Sequence, residues 1–295
     1  MEEHMPGDPG ADGRFVRLDD GDMHVVADGT PGAPAVLLIH GLAASTAWWD
    51  PVIPTLAGAC RVIRVDLAGH GRSSSPAGGY DIPAHARRAG AVLDRLGVGR
   101  VTVIGHSTGS NVATALAEQR PGLVAALALI DMGPDLDADI DKSLLGRLLL
   151  APIPGRLLWR LRTEATIRKA LSSAFTRPID IPDALIEATL GMTHRAVAGT
   201  GRGSEDYLRQ RSLPGRLTAL GLPVLVIFGA DDRRWRSSSA AAYRAVPGAR
   251  VELLAGVGHT PMMEDPQTTG KLLLDFATAA GHRNSSEGSS DERDR

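Results

Sequence analysis

The chain has 295 residues, of which 43% are hydrophobic and 22% charged, the balance of an ordinary globular protein with a substantial core. Its formal net charge of −2, without a long Lys/Arg block, provides no electropositive field for a polyanion, so we expect no nucleic-acid partner. A single cysteine, Cys60, excludes an intrachain disulfide and a thiolate metal cluster. We expect neither a metal nor a cofactor.

Neither the start of the chain nor its apolar stretches predict a membrane segment. Residues 1–12 are acidic and rich in proline and glycine, without the basic start or apolar centre of a secretory signal. We predict a disordered N-terminal segment here and a cytoplasmic location. The longest candidate for membrane contact, 144–154, is interrupted by Arg147, Pro152 and Pro154 and falls short of the ~20 apolar residues that a span needs. It is at most amphipathic.

Eight short segments have the pattern of β-strands. Residues 13–27 alternate apolar and polar side chains around an Asp/Gly cluster, which is typical of a two-stranded hairpin. Continuous apolar runs follow, which are typical of a sheet covered on both faces. They lie at 35–39, 61–65, 101–104, 124–130, 224–228 and 251–254. Helical patterns separate them, so we predict an α/β fold with a mostly parallel eight-stranded sheet flanked by helices.

The alternation stops between 134 and 217, where leucines recur at helical spacing and prolines divide the segment into short helices. An insertion after strand 6 would lie over the carboxyl ends of the strands, where open α/β sheets bind ligands. We therefore predict a helical lid at 134–217 and a core formed by 13–133 and 218–281. Within the lid, the glycine-rich 199–204 follows no strand, which predicts a flexible loop rather than a phosphate site.

The last residues, 282–295, contain no apolar side chain. Such a segment cannot bury enough surface to offset the entropy of ordering. We predict a disordered C-terminal tail.

A sharp turn between a strand and a helix contains the candidate nucleophile, Ser107. The run 101–104 ends in Gly105-His-Ser-Thr-Gly109, and good helix formers follow. The two glycines remove side chains that would collide in so tight a turn, and the helix N-terminus offers N–H groups to developing negative charge. The pattern predicts a nucleophile elbow, although Gly-x-Ser-x-Gly by itself is also typical of an ordinary turn.

A base and an acid are expected near this serine. Among nine histidines, His259 stands out because it follows the last predicted strand and has a glycine before it. A neutral imidazole there would accept the serine proton. The preferred acid is Asp232, after the strand 224–228, with Asp231 as second choice and Asp131, after 124–130, as third.

The oxyanion of an acyl-transfer reaction needs backbone N–H donors. Thr108, directly after the serine, provides one, and the loop after the third strand provides the other. In His40-Gly41-Leu42 the glycine permits a sharp turn and the histidine side chain can brace the loop, so Leu42 is the expected second donor.

These motifs together resemble the α/β-hydrolase fold superfamily over residues 15–280. The resemblance rests on the order of five short motifs at strand ends: His40-Gly41, Gly69-His-Gly-Arg-Ser73, Gly105-His-Ser-Thr-Gly109, Gly229-Ala-Asp-Asp232 and Gly258-His259. The family's order of serine, acid and histidine is the same, and its usual spacing favours Asp232 over Asp231. Ser110 replaces a glycine found in many relatives. The serine nucleophile disfavours the haloalkane dehalogenase and epoxide hydrolase chemistries of this fold, which use aspartate.

The resemblance implies a lidded serine hydrolase, esterase-like or haloperoxidase-like, that acts on an ester-type bond of a mainly hydrophobic small acyl substrate. Cofactor-free haloperoxidase or perhydrolase activity and carbon–carbon bond hydrolysis would use the same triad. A non-hydrolytic binding protein or sensor is the alternative outside enzymes. Basic residues of the lid fit a solvated helix face better than an anionic substrate; they are Arg147, Arg156, Arg160, Arg162, Arg168 and Lys169.

Overall fold

The computed structural model describes the backbone of residues 13–140 and 144–291, and the side chains of 13–140, 146 and 148–281. The predicted N-terminal segment, 1–12, lies outside the described residues. The strands are β1 (Arg14–Leu18), β2 (Gly21–Asp28), β3 (Ala35–Ile39), β4 (Arg61–Val65), β5 (Val101–His106), β6 (Val124–Ile130), β7 (Val224–Gly229) and β8 (Arg250–Leu254).

These strands form one sheet in the order β1-β2-β4-β3-β5-β6-β7-β8. The pairs β1–β2 and β2–β4 are antiparallel, and every pair from β4–β3 to β7–β8 is parallel. This confirms the predicted fold class. In such a sheet the carboxyl ends of β3, β5, β6, β7 and β8 meet at one edge, which is where the candidate site lies.

Helices cover both faces of the sheet and also fill the segment between β6 and β7. The α-helices are α1 (Ile53–Ala57), α2 (Ile82–Arg95), α3 (Thr108–Gln119), α4 (Leu144–Leu150), α5 (Pro152–Arg160), α6 (Glu164–Ser172), α7 (Asp183–Gly191), α8 (His194–Gln210), α9 (Leu213–Leu220), α10 (Pro261–Glu264) and α11 (Pro266–Asp291). Segments of 3-10 helix occupy Thr46–Val52, Leu136–Ala138 and Ser237–Ala245.

The central strands are buried on both faces because their alternate residues enter two different cores. In β7, Val226 and Phe228 join the core that contains α2 and α3, whereas Leu225 and Ile227 join the core that contains α1 and α11. Every residue of β5, β6 and β7 is buried. Each fully buried Leu, Ile or Phe side chain stabilises the folded state by about 1.5–3 kcal/mol relative to an exposed one. This burial makes the sheet a rigid support for the loops at its edge.

The segment between β6 and β7, here called the helical insertion (136–220), contains α4 to α9. Its division from the core stays a prediction, but the predicted boundary after residue 217 falls inside α9. That helix contacts α3 and the segment Ser237–Ala245. The start of α9, which the sequence assigned to the lid, therefore packs on the core together with the rest of that helix.

The expectation of a flexible loop at 199–204 is wrong, because these residues lie in the middle of α8. Thr193 caps the helix through its side chain, which accepts the N–H of Ala196. A Cβ at Gly199 would crowd Tyr80, and one at Gly203 would crowd the backbone of Asp81. The glycines thus permit close packing of a helix, which stabilises it despite their low helix propensity.

The final helix differs from the expectation of a disordered tail over residues 282–291, since α11 continues to Asp291, and the rest of the predicted tail, 292–295, lies outside the described residues. Adding a turn to an existing helix is far easier than starting one, and residues 273–280 of α11 are anchored in the core.

Among the described helices none is long and apolar enough to cross a membrane.

Candidate active site

Ser107 occupies the turn between β5 and α3 in a strained backbone conformation. Its φ is 50° and its ψ is −125°, a region that residues other than glycine rarely adopt. The N–H of Ser107 donates to the carbonyl of Ile130 at 2.8 Å, and its carbonyl accepts from the N–H of Ser110 at 2.8 Å. These bonds hold the turn, and Ser107 lines a cavity at the sheet edge.

The two glycines beside the serine are required by backbone contacts. A Cβ at Gly105 would overlap the carbonyl group of Gly109, and a Cβ at Gly109 would overlap the carbonyl oxygen of Ile39 in β3. Ser110, which replaces a glycine found in many relatives, is accommodated here because its hydroxyl donates to the carbonyl of Gly105 at 2.8 Å. The elbow is therefore packed against β3 as well as against its own strand.

His259 and Asp232 come together at the sheet edge. The Nδ1 of His259 lies 2.9 Å from Oδ2 of Asp232, and both side chains are almost fully buried. The other carboxylate oxygen, Oδ1, accepts the backbone N–H groups of Arg234 and Trp235 at 2.7 and 3.3 Å. Burial would raise the pKa of Asp232, but the charge of His259 and these hydrogen bonds lower it below its ordinary value. An ionised Asp232 accepts the Nδ1 proton of His259.

The other two acid candidates occupy different positions. Asp231 is exposed, and its backbone N–H donates to the carbonyl of Val257. Asp131 is fully buried at the end of β6, where its Oδ1 accepts the N–H of Gly229 at 2.8 Å. Burial and the neighbouring Asp232 carboxylate raise the pKa of Asp131 well above its ordinary value. Of the three, Asp232 is the one whose carboxylate contacts the imidazole.

One atom each of Asp131, Asp232 and His259 could face a shared metal ion, since these atoms lie within 4.8 Å of one another. Both oxygens of Asp232 and one of Asp131 already accept hydrogen bonds from protein donors. The raised pKa of Asp131 also disfavours the ionised form that a metal ligand needs. The donor set therefore fits hydrogen bonding to backbone N–H groups and to the imidazole better than a metal centre.

The backbone of His259 is held from two sides. Nε2 of His106 donates to the His259 carbonyl at 2.7 Å, and the N–H of His259 donates to the carbonyl of Ala174 in the helical insertion at 3.1 Å. His106 packs between Trp48 and the imidazole of His259, with ring centroids 6.5 and 5.0 Å away. Burial, followed by the nearby charge of His259, lowers the pKa of His106 to about 3, so it stays neutral near pH 7.

Glu264 fastens the loop of His259 to the helical insertion. Its Oε2 accepts the N–H groups of Thr176, Arg177 and Gly258 at 2.9–3.1 Å. Its Oε1 accepts from the N–H and the hydroxyl of Thr260 at 3.3 and 3.1 Å. One buried carboxylate thus joins the residues on both sides of His259 to the segment that follows α6.

Sequence reasoning did not identify Glu264 or His106 as parts of this site. A signal existed for Glu264, an acidic residue directly after the apolar run Pro261-Met-Met and five residues after the candidate base. A carboxylate in such a run is expected to be buried and to need several donors. For His106 the sequence carries no such signal, because the direction of its side chain depends on how the elbow packs.

The loop after β3 reaches the cavity with Leu42, and His40 fixes its shape. Nδ1 of His40 donates to the carbonyl of Gly41 at 2.7 Å, while Nε2 accepts the N–H of Leu67 at 3.0 Å. Burial lowers the pKa of His40, which favours this neutral form. The bracing role predicted for His40 is therefore present in the structure.

Both expected oxyanion donors lie at the cavity. Leu42 and Thr108 line it together with Ser107. Thr108 is the first residue of α3, and the N–H groups of a first helical turn have no acceptor within the helix. The site thus has N–H groups beside the serine at the positive end of a helix dipole.

The cavity has a volume of about 710 Å³ and lies between the sheet edge and the helical insertion. Ser107 and His259 form part of its floor. Apolar side chains form most of its walls, among them Leu42, Trp48, Leu149, Trp159, Val197 and Leu208. Asp139, Glu205 and Arg234 are the charged side chains other than histidine among the described residues that line it.

Known proteins share this sequence and architecture. A family model described as alpha/beta hydrolase fold matches residues 34–266. An uncharacterised protein of Mycobacterium tuberculosis is 32% identical over 251 residues, which cover 79% of this chain and 72% of that protein. A 2-hydroxy-6-oxononadienedioate/2-hydroxy-6-oxononatrienedioate hydrolase of Cupriavidus pinatubonensis is 28% identical over 285 residues, covering 89% of this chain and 94% of the relative.

Among solved structures, a membrane phospholipase A described as a bacterial virulence factor is similar at a TM-score of 0.71. It is 28% identical, and the similarity covers 90% of this chain and 86% of that chain. The segment matched by the family model, 34–266, contains the elbow, both expected oxyanion donors and the His259–Asp232 pair.

Proposed function

The chain belongs to the α/β-hydrolase fold family and is a hydrolase, and on that basis we propose that Ser107, His259 and Asp232 form its catalytic triad. The proposed reaction is hydrolysis of an ester-type bond in a mainly hydrophobic small molecule. The observation that carries the proposal is the buried contact of 2.9 Å between His259 Nδ1 and Asp232 Oδ2, beside a cavity that Ser107 also lines.

In the proposed reaction, His259 Nε2 takes the proton of Ser107 Oγ while Oγ attacks the acyl carbonyl carbon. The carbonyl oxygen becomes an oxyanion that accepts hydrogen bonds from the N–H groups of Leu42 and Thr108. When the intermediate collapses, the bond to the leaving alcohol breaks and His259 returns its proton to that alcohol. Water then attacks the acyl-enzyme by the same steps in reverse, which releases the acid and regenerates Ser107.

Asp232 supports this reaction through its charge. Because the pKa of Asp232 is lowered, the group is ionised near pH 7 and accepts the proton on His259 Nδ1. That arrangement leaves Nε2 without a proton and available as a base. The negative charge also stabilises the imidazolium that forms during the attack.

The cavity supports a hydrophobic and uncharged substrate. Its apolar walls, formed by core loops and by the helical insertion, can enclose an acyl chain. The acids Asp139 and Glu205 outnumber the single arginine, Arg234, among the charged lining residues described. A dianionic substrate, such as the one named for the Cupriavidus relative, would meet repulsion here. We propose that α4 to α8 act as a lid over this cavity.

Labelling with a fluorophosphonate probe and turnover of p-nitrophenyl esters of graded acyl length test the proposal. Wild type is expected to take up one probe per chain and to turn over esters, whereas Ser107→Ala loses the label and about 10³-fold or more in kcat while unfolding at the same denaturant concentration. Substantial activity in Ser107→Ala would reject Ser107 as the nucleophile. A folded wild type without label or turnover would favour the non-hydrolytic binding protein instead.

A further inference from the structure

One face of the helical insertion exposes an apolar stripe. Ile153, Leu157 and Leu161 follow one another at a spacing of four residues, and 82%, 61% and 67% of their surfaces are exposed. Residues at this spacing lie on the same side of a helix. Leu148, at the end of α4, is a further exposed apolar residue nearby in the chain.

The opposite side of α5 faces inward. Trp159 is buried, and its Nε1 donates to the carbonyl of Met192 at 2.8 Å. Gly155 is buried where a Cβ would crowd the imidazole of His194 and the carbonyl of Leu149. The apolar stripe is therefore the outer side of a helix whose inner side is anchored.

The segment that contains α4 and α5 is strongly basic. Residues 144–163 contain four arginines and no aspartate or glutamate, in a chain whose formal net charge is −2. Arg156 and Arg160 are exposed and each directly precedes a leucine of the stripe. Arg162 donates to the backbone carbonyls of Trp159, Leu190 and Met192, which leaves its positive charge without a carboxylate in these contacts.

We propose that this outer face, formed by Ile153, Arg156, Leu157, Arg160 and Leu161 and here called the α5 face, docks on an anionic lipid surface. A helix with apolar side chains flanked by arginines suits the boundary between acyl chains and negatively charged headgroups. The aliphatic side chains enter the boundary, and the guanidinium groups bind the phosphates.

A second copy of the chain fits this face less well. Symmetric dimers place the same patch on both subunits, so the arginines of one α5 face would lie against those of the other. No acidic residue within 144–163 is present to neutralise them. The excess of positive charge favours an anionic partner over self-association.

The position of the α5 face links it to the cavity. Trp159 of α5 and Leu149 of the preceding helix α4 line the cavity on the inner side of the insertion. Docking would hold the outer side of these helices at the lipid and the cavity directly beneath them. An apolar molecule dissolved in that lipid would then have a short path to Ser107. The docking itself does not depend on the proposed hydrolysis, because none of its residues belongs to the triad.

Co-sedimentation of the full chain with vesicles tests the proposal, using phosphatidylcholine with and without about one-third phosphatidylglycerol. We expect binding to the anionic vesicles that weakens with salt, and little binding to the neutral ones. Exchange of both arginines, Arg156→Gln with Arg160→Gln, is expected to weaken binding about thirtyfold. The pair Ile153→Ser with Leu157→Ser is expected to weaken it about tenfold or more.

Two controls separate docking from folding and from catalysis. Leu253→Ser changes a leucine of similar exposure, 52%, on β8 and should bind vesicles like wild type. Ser107→Ala should also bind like wild type, so a failure of the proposed hydrolysis would leave this result unchanged. Circular dichroism and the unfolding midpoint check that each variant is folded.

Three outcomes would overturn the proposal. The first is the absence of binding to anionic vesicles, and the second is equal binding by the α5-face variants and by wild type. The third is a dimer in sedimentation velocity that Ile153→Ser with Leu157→Ser dissociates, which would assign the face to a second copy of the chain.

Discussion

Oδ1 of Asp131 accepts the backbone N–H of Gly229 at 2.8 Å, which ties the end of β6 to the end of β7 and holds a second carboxyl group beside Asp232. Two neighbouring buried carboxylates repel each other, so one of them holds a proton. Burial and the Asp232 carboxylate raise the pKa of Asp131, whereas His259 and backbone N–H groups lower that of Asp232, so Asp131 is the more readily protonated of the two.

Replacement of each acid by its neutral isostere distinguishes their roles. Asp131→Asn is expected to keep ester turnover within about tenfold of wild type, because burial and the Asp232 carboxylate raise the pKa of Asp131 and asparagine preserves the shape of the uncharged form. Asp232→Asn should lower kcat about 10³–10⁴-fold, since His259 then loses the carboxylate that orients it. Steady-state kinetics on one p-nitrophenyl ester measures both. The reverse order of effects would make Asp131 the triad acid.

The same Asp131→Asn variant is expected to gain stability relative to wild type as the pH rises. In the native protein the pKa of Asp131 lies above its value in the unfolded chain, so the native state binds more protons between those two pKa values. The contribution of Asp131 to the free energy of unfolding therefore falls as the pH increases through this window, opposite in sign to the contribution of the buried histidines, and asparagine removes the Asp131 contribution alone. Urea unfolding at about pH 5 and about pH 8 measures the difference. A constant difference between variant and wild type would argue against a protonated Asp131.

Glu264→Gln is expected to lower kcat about tenfold or more with little change in KM, since Glu264 acts on His259 and does not line the cavity. The amide nitrogen of glutamine cannot accept the N–H groups that face this carboxylate, and each lost hydrogen bond to a charged group costs about 1.5–3 kcal/mol. A lower unfolding midpoint should accompany the loss of rate. Glu187→Gln, an exposed acid of α7, is the matched control. Equal kcat in Glu264→Gln and wild type would refute the positioning role.

Gly105→Ala is expected to abolish turnover and to destabilise the fold by about 3 kcal/mol or more, because its Cβ would overlap the backbone of Gly109. Thermal unfolding and fluorophosphonate labelling report the two effects. Gly122→Ala serves as control, since a Cβ there meets no atom within 4 Å. Normal labelling of Gly105→Ala would show that the backbone of Gly109 can move enough to make room for a Cβ, which would contradict the proposed requirement for glycine.

Acid is expected to destabilise the protein through its buried histidines. Burial lowers the pKa of both His70 and His106 to about 3, whereas an unfolded histidine titrates near 6.5. Between about pH 6.5 and pH 3 the unfolded state therefore binds more protons, and the free energy of unfolding falls by about 1.4 kcal/mol per pH unit for each histidine.

Urea unfolding at about pH 7.5 and about pH 5 measures this loss of stability. His70→Gln should reduce the difference between the two conditions by about 2 kcal/mol, because one titrating group is removed. An unchanged difference would mean that His70 is protonated in the native state at pH 5.

The local sequence was sufficient for the parts of the site that depend on a few neighbouring residues. The elbow around Ser107 follows from a strand, a helix and two glycines within one short stretch, and the same geometry is present in the structure. Six of the eight strands and their mostly parallel pairing also follow from apolar runs, since a sheet covered on both faces needs them, and the first two follow from the alternating pattern of a hairpin.

Local patterns failed where packing outweighs propensity. The glycines of 199–204 have low helix propensity, yet they lie in α8, where Gly199 packs against Tyr80 and Gly203 against Asp81 without room for a Cβ. Composition likewise predicted a disordered tail where α11 continues to Asp291.

By itself, then, the sequence determined the individual strands, the turn that holds Ser107 and the position of His259 at a strand end, because each depends on the pattern within a short stretch of chain. Only the tertiary structure decided which of three aspartates contacts His259, that Glu264 and His106 hold its backbone, and which side of α5 is exposed. Those features depend on atoms far apart in the chain, such as His106 and His259, whose contact exists only after the sheet and the helical insertion have packed together.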